Sequence, residues 1–187
     1  VDPDLPLIEA LQAGDDSALN ELIHRHREPL FHFIYRYLRD EPVAREVVQE
    51  TFVRVYFKAK SFAPRSLVKT WIYAIALNLA RDQGRKLAKR WREISLNAPG
   101  PGEQPPLELA DTAPLPDEDA GRRDRFAALQ RAIDKLPHKL KSALILFSLE
   151  GRSQQEAAAI LGTTPKTVET RVYHAKEKLR QLLGPGI

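Results

Sequence analysis

The sequence predicts an all-α fold, with two helical domains joined by a flexible, Pro-rich acidic linker. Three observations carry that expectation. Apolar residues recur at three- and four-residue spacings along most of the 187 residues, and no alternating run is long enough to argue for a sheet. Residues 97–120 collect Pro99, Pro101, Pro105, Pro106, Pro114 and Pro116 with Glu103, Glu108, Asp111, Asp117, Glu118 and Asp119, and hold no Lys or Arg. Proline removes backbone donors and the acids repel one another, so this stretch reads as a tether. The segment after residue 150 carries the punctuation of a helix-turn-helix.

Taken in chain order, the first helix is expected over 17–39, with Leu19, Leu22, Ile23, Leu30, Ile34 and Leu38 in its apolar pattern and Pro29 kinking it. The next runs over 43–59 with Val47, Val48, Phe52, Val55 and Tyr56. A third runs over 67–90, its core face made by Val68, Trp71, Ile72, Ile75 and Leu79. After the tether come helices over 121–135, 138–149, 153–161 and 165–182. The domain boundaries follow: 1–96, a linker over 97–120, and 121–187.

Composition excludes several function classes. At 43% hydrophobic the chain has material for packed cores. Without cysteine there is no disulfide framework, thiolate zinc site, iron–sulfur cluster or cysteine nucleophile. No apolar run approaches the roughly 20 residues that cross a bilayer, and no basic-then-apolar signal opens the chain. A cytoplasmic protein with no stable membrane insertion is expected. Glu21-x-x-His24 has the spacing of a di-iron ligand pair, but no second copy exists, and a solvated pair is the better reading. The close glycines Gly100 and Gly102 lie in the Pro-rich tether, so no phosphate loop is present. No catalytic residue, metal or cofactor is expected.

Charge is unevenly placed. Residues 81–92 carry Arg81, Arg85, Lys86, Lys89, Arg90 and Arg92 against Asp82; residues 164–180 carry Lys166, Arg171, Lys176, Lys178 and Arg180 against Glu169 and Glu177. One basic segment therefore ends each half, with an acidic tether between, as suits a polyanion gripped at two places.

In the second half, Ser153-Gln154-Gln155-Glu156 has capping-box spacing, Gly162 can close that helix, and Thr164-Pro165 can open the next. Val168, Val172, Ala175 and Leu179 then form a buried stripe. The opposite face presents Lys166, Thr170, Tyr173 and Glu177, flanked by His174, Arg171 and Lys178, donors and a ring suited to a major groove. In the first half, Ala74, Asn78, Arg81 and Arg85 share a second face of the 67–90 helix. Asn offers a donor and an acceptor to a base edge, and arginines track phosphates or stack on bases. The loop Ser61-Phe62-Ala63-Pro64-Arg65-Ser66 is placed to wall a pocket for an unstacked base.

Residues 43–52 (Val-Ala-Arg-Glu-Val-Val-Gln-Glu-Thr-Phe) and 69–82 (Lys-Thr-Trp-Ile-Tyr-Ala-Ile-Ala-Leu-Asn-Leu-Ala-Arg-Asp) resemble the second conserved region of bacterial sigma factors. Leu136-Pro137, Ser153 to Ala158 and Lys166 to Arg171 resemble the fourth. Two such regions joined by a variable linker are similar to the extracytoplasmic-function (group IV) sigma factors, a likeness covering residues 5–92 and 121–183. The resemblance implies an alternative sigma factor that joins core RNA polymerase, on its clamp coiled coil and flap, and directs promoter-specific initiation. It implies polymerase contacts at Glu46, Gln49, Glu50 and Phe52. It implies capture of a flipped −10 base near Asn78, with Lys69, Arg81, Arg85, Lys86 and Arg90 around the strand. The −35 element falls to the last helix, with Lys166, Thr167, Thr170, Arg171, Tyr173, His174 and Lys178. An anti-sigma factor is an implied partner. Arg45, Leu77 and Glu169 depart from residues frequent in the family. The alternative is a helix-turn-helix repressor or activator that never enters the polymerase core.

Overall fold

The computed structural model describes residues 2–97 and 117–184, with their side chains except at 91, 92, 94–97 and 117–122. Among them are eight α-helices, one π-helical turn and no strand. The chain opens with α1 (Leu5–Gln12), which the periodicity does not reveal, because eight residues offer barely two turns. Its helix exists by tertiary support: Ile8 and Leu11 are buried where α1 packs on the next two helices. Helix α2 (Ser17–Leu38) continues past Pro29, which is exposed and removes one donor without ending the helix.

Asp40 caps α3 (Glu41–Ala59) by accepting the Val43 N–H at 3.0 Å, and Pro42 fills the first turn. Helix α4 (Val68–Asn97) is seven residues longer at its C-terminal end than the expected 67–90. Ile72, Tyr73, Ala76 and Ala80 are fully buried in it, more than the expected stripe, because α4 is covered on two sides. Trp71 is half-buried, its ring 4.8 Å from that of Phe62.

Helix α5 (Asp117–Asp134) begins inside the stretch read as tether; acidic residues are common in a first turn. The rest of that tether, residues 98–116, lies outside the described residues. The helix expected over 138–149 divides into α6 (His138–Leu144) and a π-helical turn (Ile145–Leu149), where the Glu150 N–H reaches back to Ile145 O at 2.9 Å. Then come α7 (Gln154–Leu161) and α8 (Pro165–Leu183). Here the local punctuation holds. Ser153 Oγ accepts the Glu156 N–H at 3.1 Å, Glu156 accepts the Ser153 N–H at 2.9 Å, and Gly162 turns left-handed at φ 60°.

Two apolar clusters organise the molecule. A smaller one joins Ala132, Ile133, Leu136, Leu144, Ala175 and Leu179 of α5, α6 and α8 and the turn between α5 and α6. The larger one does not stop at the domain boundary. It runs from Leu22, Phe33, Val55 and Ile72 into Ile145, Leu146, Ala157, Ala158 and Val168. The halves meet where α4 packs on α7 and α2 packs on the π-helical turn. Polar contacts edge this seam. Arg36 pairs with Glu150, the Tyr37 hydroxyl bonds His138 Nδ1, and the Arg152 guanidinium lies 4.5 Å from the centroid of the buried Tyr73 ring.

Candidate nucleic-acid interface

Helix α4 supplies one basic face. Leu77 and Leu79 are buried, which turns Asn78 between them out to solvent. One turn on, Arg81 is half-buried and 3.8 Å from Asp82, while Arg85 is exposed and holds the same carboxylate at 2.5 Å. Lys86 and Arg90 are exposed further along. The Asn78–Arg81–Arg85 face expected from the periodicity is therefore present, with Asp82 partly neutralising it. Lys69 does not join that face. It is half-buried and close enough to Glu156 of α7 to help lower that carboxyl's pKa, after the Ser153 hydrogen bonds and Arg152.

Helix α8 supplies the second face. Thr164 opens it by accepting the Thr167 N–H at 3.2 Å, and the two hydroxyls bond each other at 2.9 Å. Val168, Val172, Ala175 and Leu179 are buried, as expected, so Lys166, Thr170, Tyr173, His174 and Lys178 stand exposed on the other side. The Thr170 hydroxyl donates to Lys166 O at 2.9 Å, leaving its oxygen as an acceptor. Tyr173 is 61% exposed, and its ring meets that of His174 edge to face at 5.5 Å. Lys166 is paired with Glu169 at 3.0 Å.

The two faces approach each other at the seam. Burial first, then the charges of Arg81, Arg171, Arg85 and Lys139, hold His138 below its ordinary pKa. Burial pushes the partner phenol, Tyr37, up to about 12 although Arg81 and Arg85 oppose it. The Tyr37 hydroxyl and the His138 Nδ1 of an uncharged imidazole therefore share one hydrogen bond. Arg171 of α8 and Arg81 of α4 thus both act on one half-buried hydrogen bond.

A third surface lies on α3. Glu46, Gln49 and Glu50 are exposed; Glu50 is tied to Arg54 at 2.8 Å, and all three border a small cleft shared with Lys86 of α4. Phe52, expected beside them, is 5% exposed and belongs to the core. Exposed apolar area comes instead from Val53, Tyr56 and Phe57, the last 73% exposed, along an open groove of about 1320 Å³ between α2 and α3. The sequence pattern placed Tyr56 with the apolar stripe of this helix, where it is exposed instead, and did not single out Val53 or Phe57. The signal was there: Phe52, Tyr56, Val53 and Phe57 spread apolar groups over about 140° at the end of α3, reaching beyond its buried face. Glu21, half of the supposed metal pair, is bound to Arg25 at 2.7 Å, and among the described residues no group of three His, Cys, Asp or Glu clusters for a metal.

Residues 22–92 match the family described as Sigma-70 region 2, and residues 126–179 match Sigma-70, region 4. The chain is 31% identical to the ECF RNA polymerase sigma-E factor of Haemophilus influenzae, over 97% of this chain and 96% of that one. It is also 31% identical to RNA polymerase sigma factor CnrH of Cupriavidus metallidurans, over 97% and 95%. The solved structure of CnrH in complex with the cytosolic domain of CnrY superimposes with a TM-score of 0.67 at 26% identity, covering 96% of both chains. A helical lobe with a basic, Asn-bearing helix, followed by a helix-turn-helix, is the make-up of a promoter-reading subunit of RNA polymerase. The chain belongs to the extracytoplasmic-function RNA polymerase sigma factors. It is an alternative sigma factor directing transcription initiation, and such factors are DNA-binding regulators, not enzymes.

Proposed function

We propose that this sigma factor, of the group IV class, opens its promoters by capturing an unstacked −10 base beside Asn78 while α8 reads the −35 element as duplex. The exposure of Asn78 carries the reading: an amide presented between two buried leucines, on a rigid helix, with Arg81 and Arg85 a turn or two away to track phosphate. Lys86 and Arg90 extend that track; Lys69, about 180° round α4 from Asn78, would contact DNA apart from it. On α8, Lys166, Thr167, Thr170, Tyr173 and His174 face the major groove, with Arg171 and Lys178 on flanking phosphates.

Melting costs about 1.4 kcal/mol per base-pair step, so opening roughly ten steps requires on the order of 14 kcal/mol. One amide and a few arginines fall far short of that. Polymerase contacts, made through Glu46, Gln49 and Glu50 on α3 with Phe52 supporting them from the core, supply the rest. The protein therefore works in the cytoplasm, where polymerase and promoter are. An anti-sigma protein fits as a regulator, since CnrH has been solved bound to the cytosolic domain of CnrY. Run-off transcription with reconstituted holoenzyme, on promoters selected by that holoenzyme, tests the reading. Asn78→Ala is expected to lower initiation about tenfold while leaving core polymerase affinity unchanged; equal initiation would refute base capture at this position.

A further inference from the structure

The loop between α3 and α4, residues 60–67, is held from outside itself. Its exposed apex is Ala63, Pro64, Arg65 and Ser66, and Phe62 leans on Trp71. At its start, the side-chain amide of Gln12 donates to Ala59 O at 2.9 Å and to Phe62 O at 3.2 Å. Both protons of one amide are thus spent on the last carbonyl of α3 and the second carbonyl of the loop beyond Lys60. At its end, the Val68 N–H that opens α4 donates to Asp2 Oδ2 at 2.6 Å. Leu67, the residue before α4, has no acceptor of its own, so Asp2 caps this helix from 66 positions away in the chain.

The segment that reaches over is itself anchored. Asp2 Oδ1 accepts the Asp4 N–H at 3.0 Å. Asp4, 3% exposed, bonds His26 at 2.8 Å and Arg25 at 3.2 Å, and Ile8 and Leu11 bury α1 in the core. Nine residues of the N-terminal segment therefore separate two ties, one on each end of the same loop. Nothing in the packing of α1 requires this: Ile8 and Leu11 do the apolar work, and Gln12 is otherwise exposed.

We propose that segment 2–12 is a clasp, and that Asp2 and Gln12 are positioning residues which fix the 60–67 loop at the geometry a captured base needs. This rests on base capture beside Asn78: Trp71, on which Phe62 of the loop leans, lies about two turns before Asn78 on the same side of α4. A loop with neither tie fluctuates at both hinges, and a pocket loosened by an ångström loses much of its effect on the step it serves.

The test uses full-length chain with core polymerase on two promoter fragments, one fully duplex and one with the −10 segment pre-opened by mismatches, each carrying 2-aminopurine at the captured position. Gln12→Ala and Asp2→Ala are expected to slow the fluorescence rise on duplex about three- to tenfold, as loss of one or two hydrogen bonds allows. Asp2→Asn, which keeps one oxygen for the Val68 N–H but loses the second acceptor that holds the Asp4 N–H, is expected to recover part of the parent rate. Core polymerase affinity and −35 binding should not move, which separates positioning from general destabilisation. Parent rates in both alanine variants, with Asn78→Ala still defective, overturn the clasp and leave base capture standing. Parent rates in Asn78→Ala overturn base capture and the clasp with it. Equal losses in base capture, −35 binding and polymerase affinity reduce Asp2 and Gln12 to structural roles and also overturn the proposal.

Discussion

Phe57 shows how a side chain's surroundings decide what it is for. A ring 73% exposed contributes little to folding, because little of its area leaves water. With Tyr56 and Val53 it forms an apolar strip next to the charged edge of Glu46, Gln49 and Glu50, the mixture expected of a surface that another protein covers. Phe57→Ser is therefore predicted to change unfolding free energy by less than about 0.5 kcal/mol, while weakening core polymerase binding at least about fivefold. Chemical denaturation and a binding titration on the same sample check both halves. Phe33 is the counter-example: fully buried against Tyr73, its truncation to Ala would cost about 3–5 kcal/mol.

At the level of elements, legibility followed how local the causes are. Helices α7 and α8 were readable to within a residue because Ser153, Glu156, Gly162, Thr164 and Pro165 each act within one turn of their own position. Ser153→Ala removes the reciprocal cap and is predicted to lower stability by about 1 kcal/mol, seen as a shift in the denaturation midpoint. The Ser153 hydrogen bonds also hold Glu156 below its ordinary pKa of 4.5. That carboxylate's contribution is present above 4.5 and is lost as pH falls through the lowered folded value. Elements built by distant partners were not readable. Helix α1 is too short to show a period, and the cap on α4 comes from Asp2. The π-helical turn keeps the apolar pattern of an ordinary helix and differs only in hydrogen bonding. Of the candidate interface, the α4 and α8 faces were legible from 100° periodicity; the burial of Phe52, the strip around Phe57 and the placement of Lys69 against α7 depend on packing.

The whole molecule poses a question of reach. A compact chain of this length has a radius of gyration of about 16 Å and spans about 40 Å. The −10 and −35 elements lie about 25 base pairs apart by their numbering, about 85 Å of duplex. On the proposed reading, in which one half takes each element, docked halves cannot reach both, so the seam along α4 and α7 has to part. The nineteen residues between Asn97 and Asp117 give a contour of at most about 70 Å, enough with the lobes' own size. His138 gives this seam a pH dependence. Docking lowers its pKa, so the parted form binds a proton more readily than the docked one. Docking is therefore unaffected above about 6.5, the ordinary histidine value, and weakens as pH falls below it; Arg81, Arg85, Arg171 and Lys139 face the imidazole and oppose its charging. Small-angle scattering of the free chain is predicted to show a larger radius at pH 5.5 than at pH 7.5. Arg152→Ala, which removes the cation over Tyr73, should shift that expansion to higher pH.

The most direct measurement is a permanganate footprint of a cognate linear promoter with three samples: chain alone, holoenzyme, and holoenzyme carrying Asn78→Ala. Reactive −10 thymines in the second sample only are what capture of an unstacked base, carried by the polymerase, requires. Reactivity with the chain alone, or undiminished reactivity with the Asn78 variant, would contradict it.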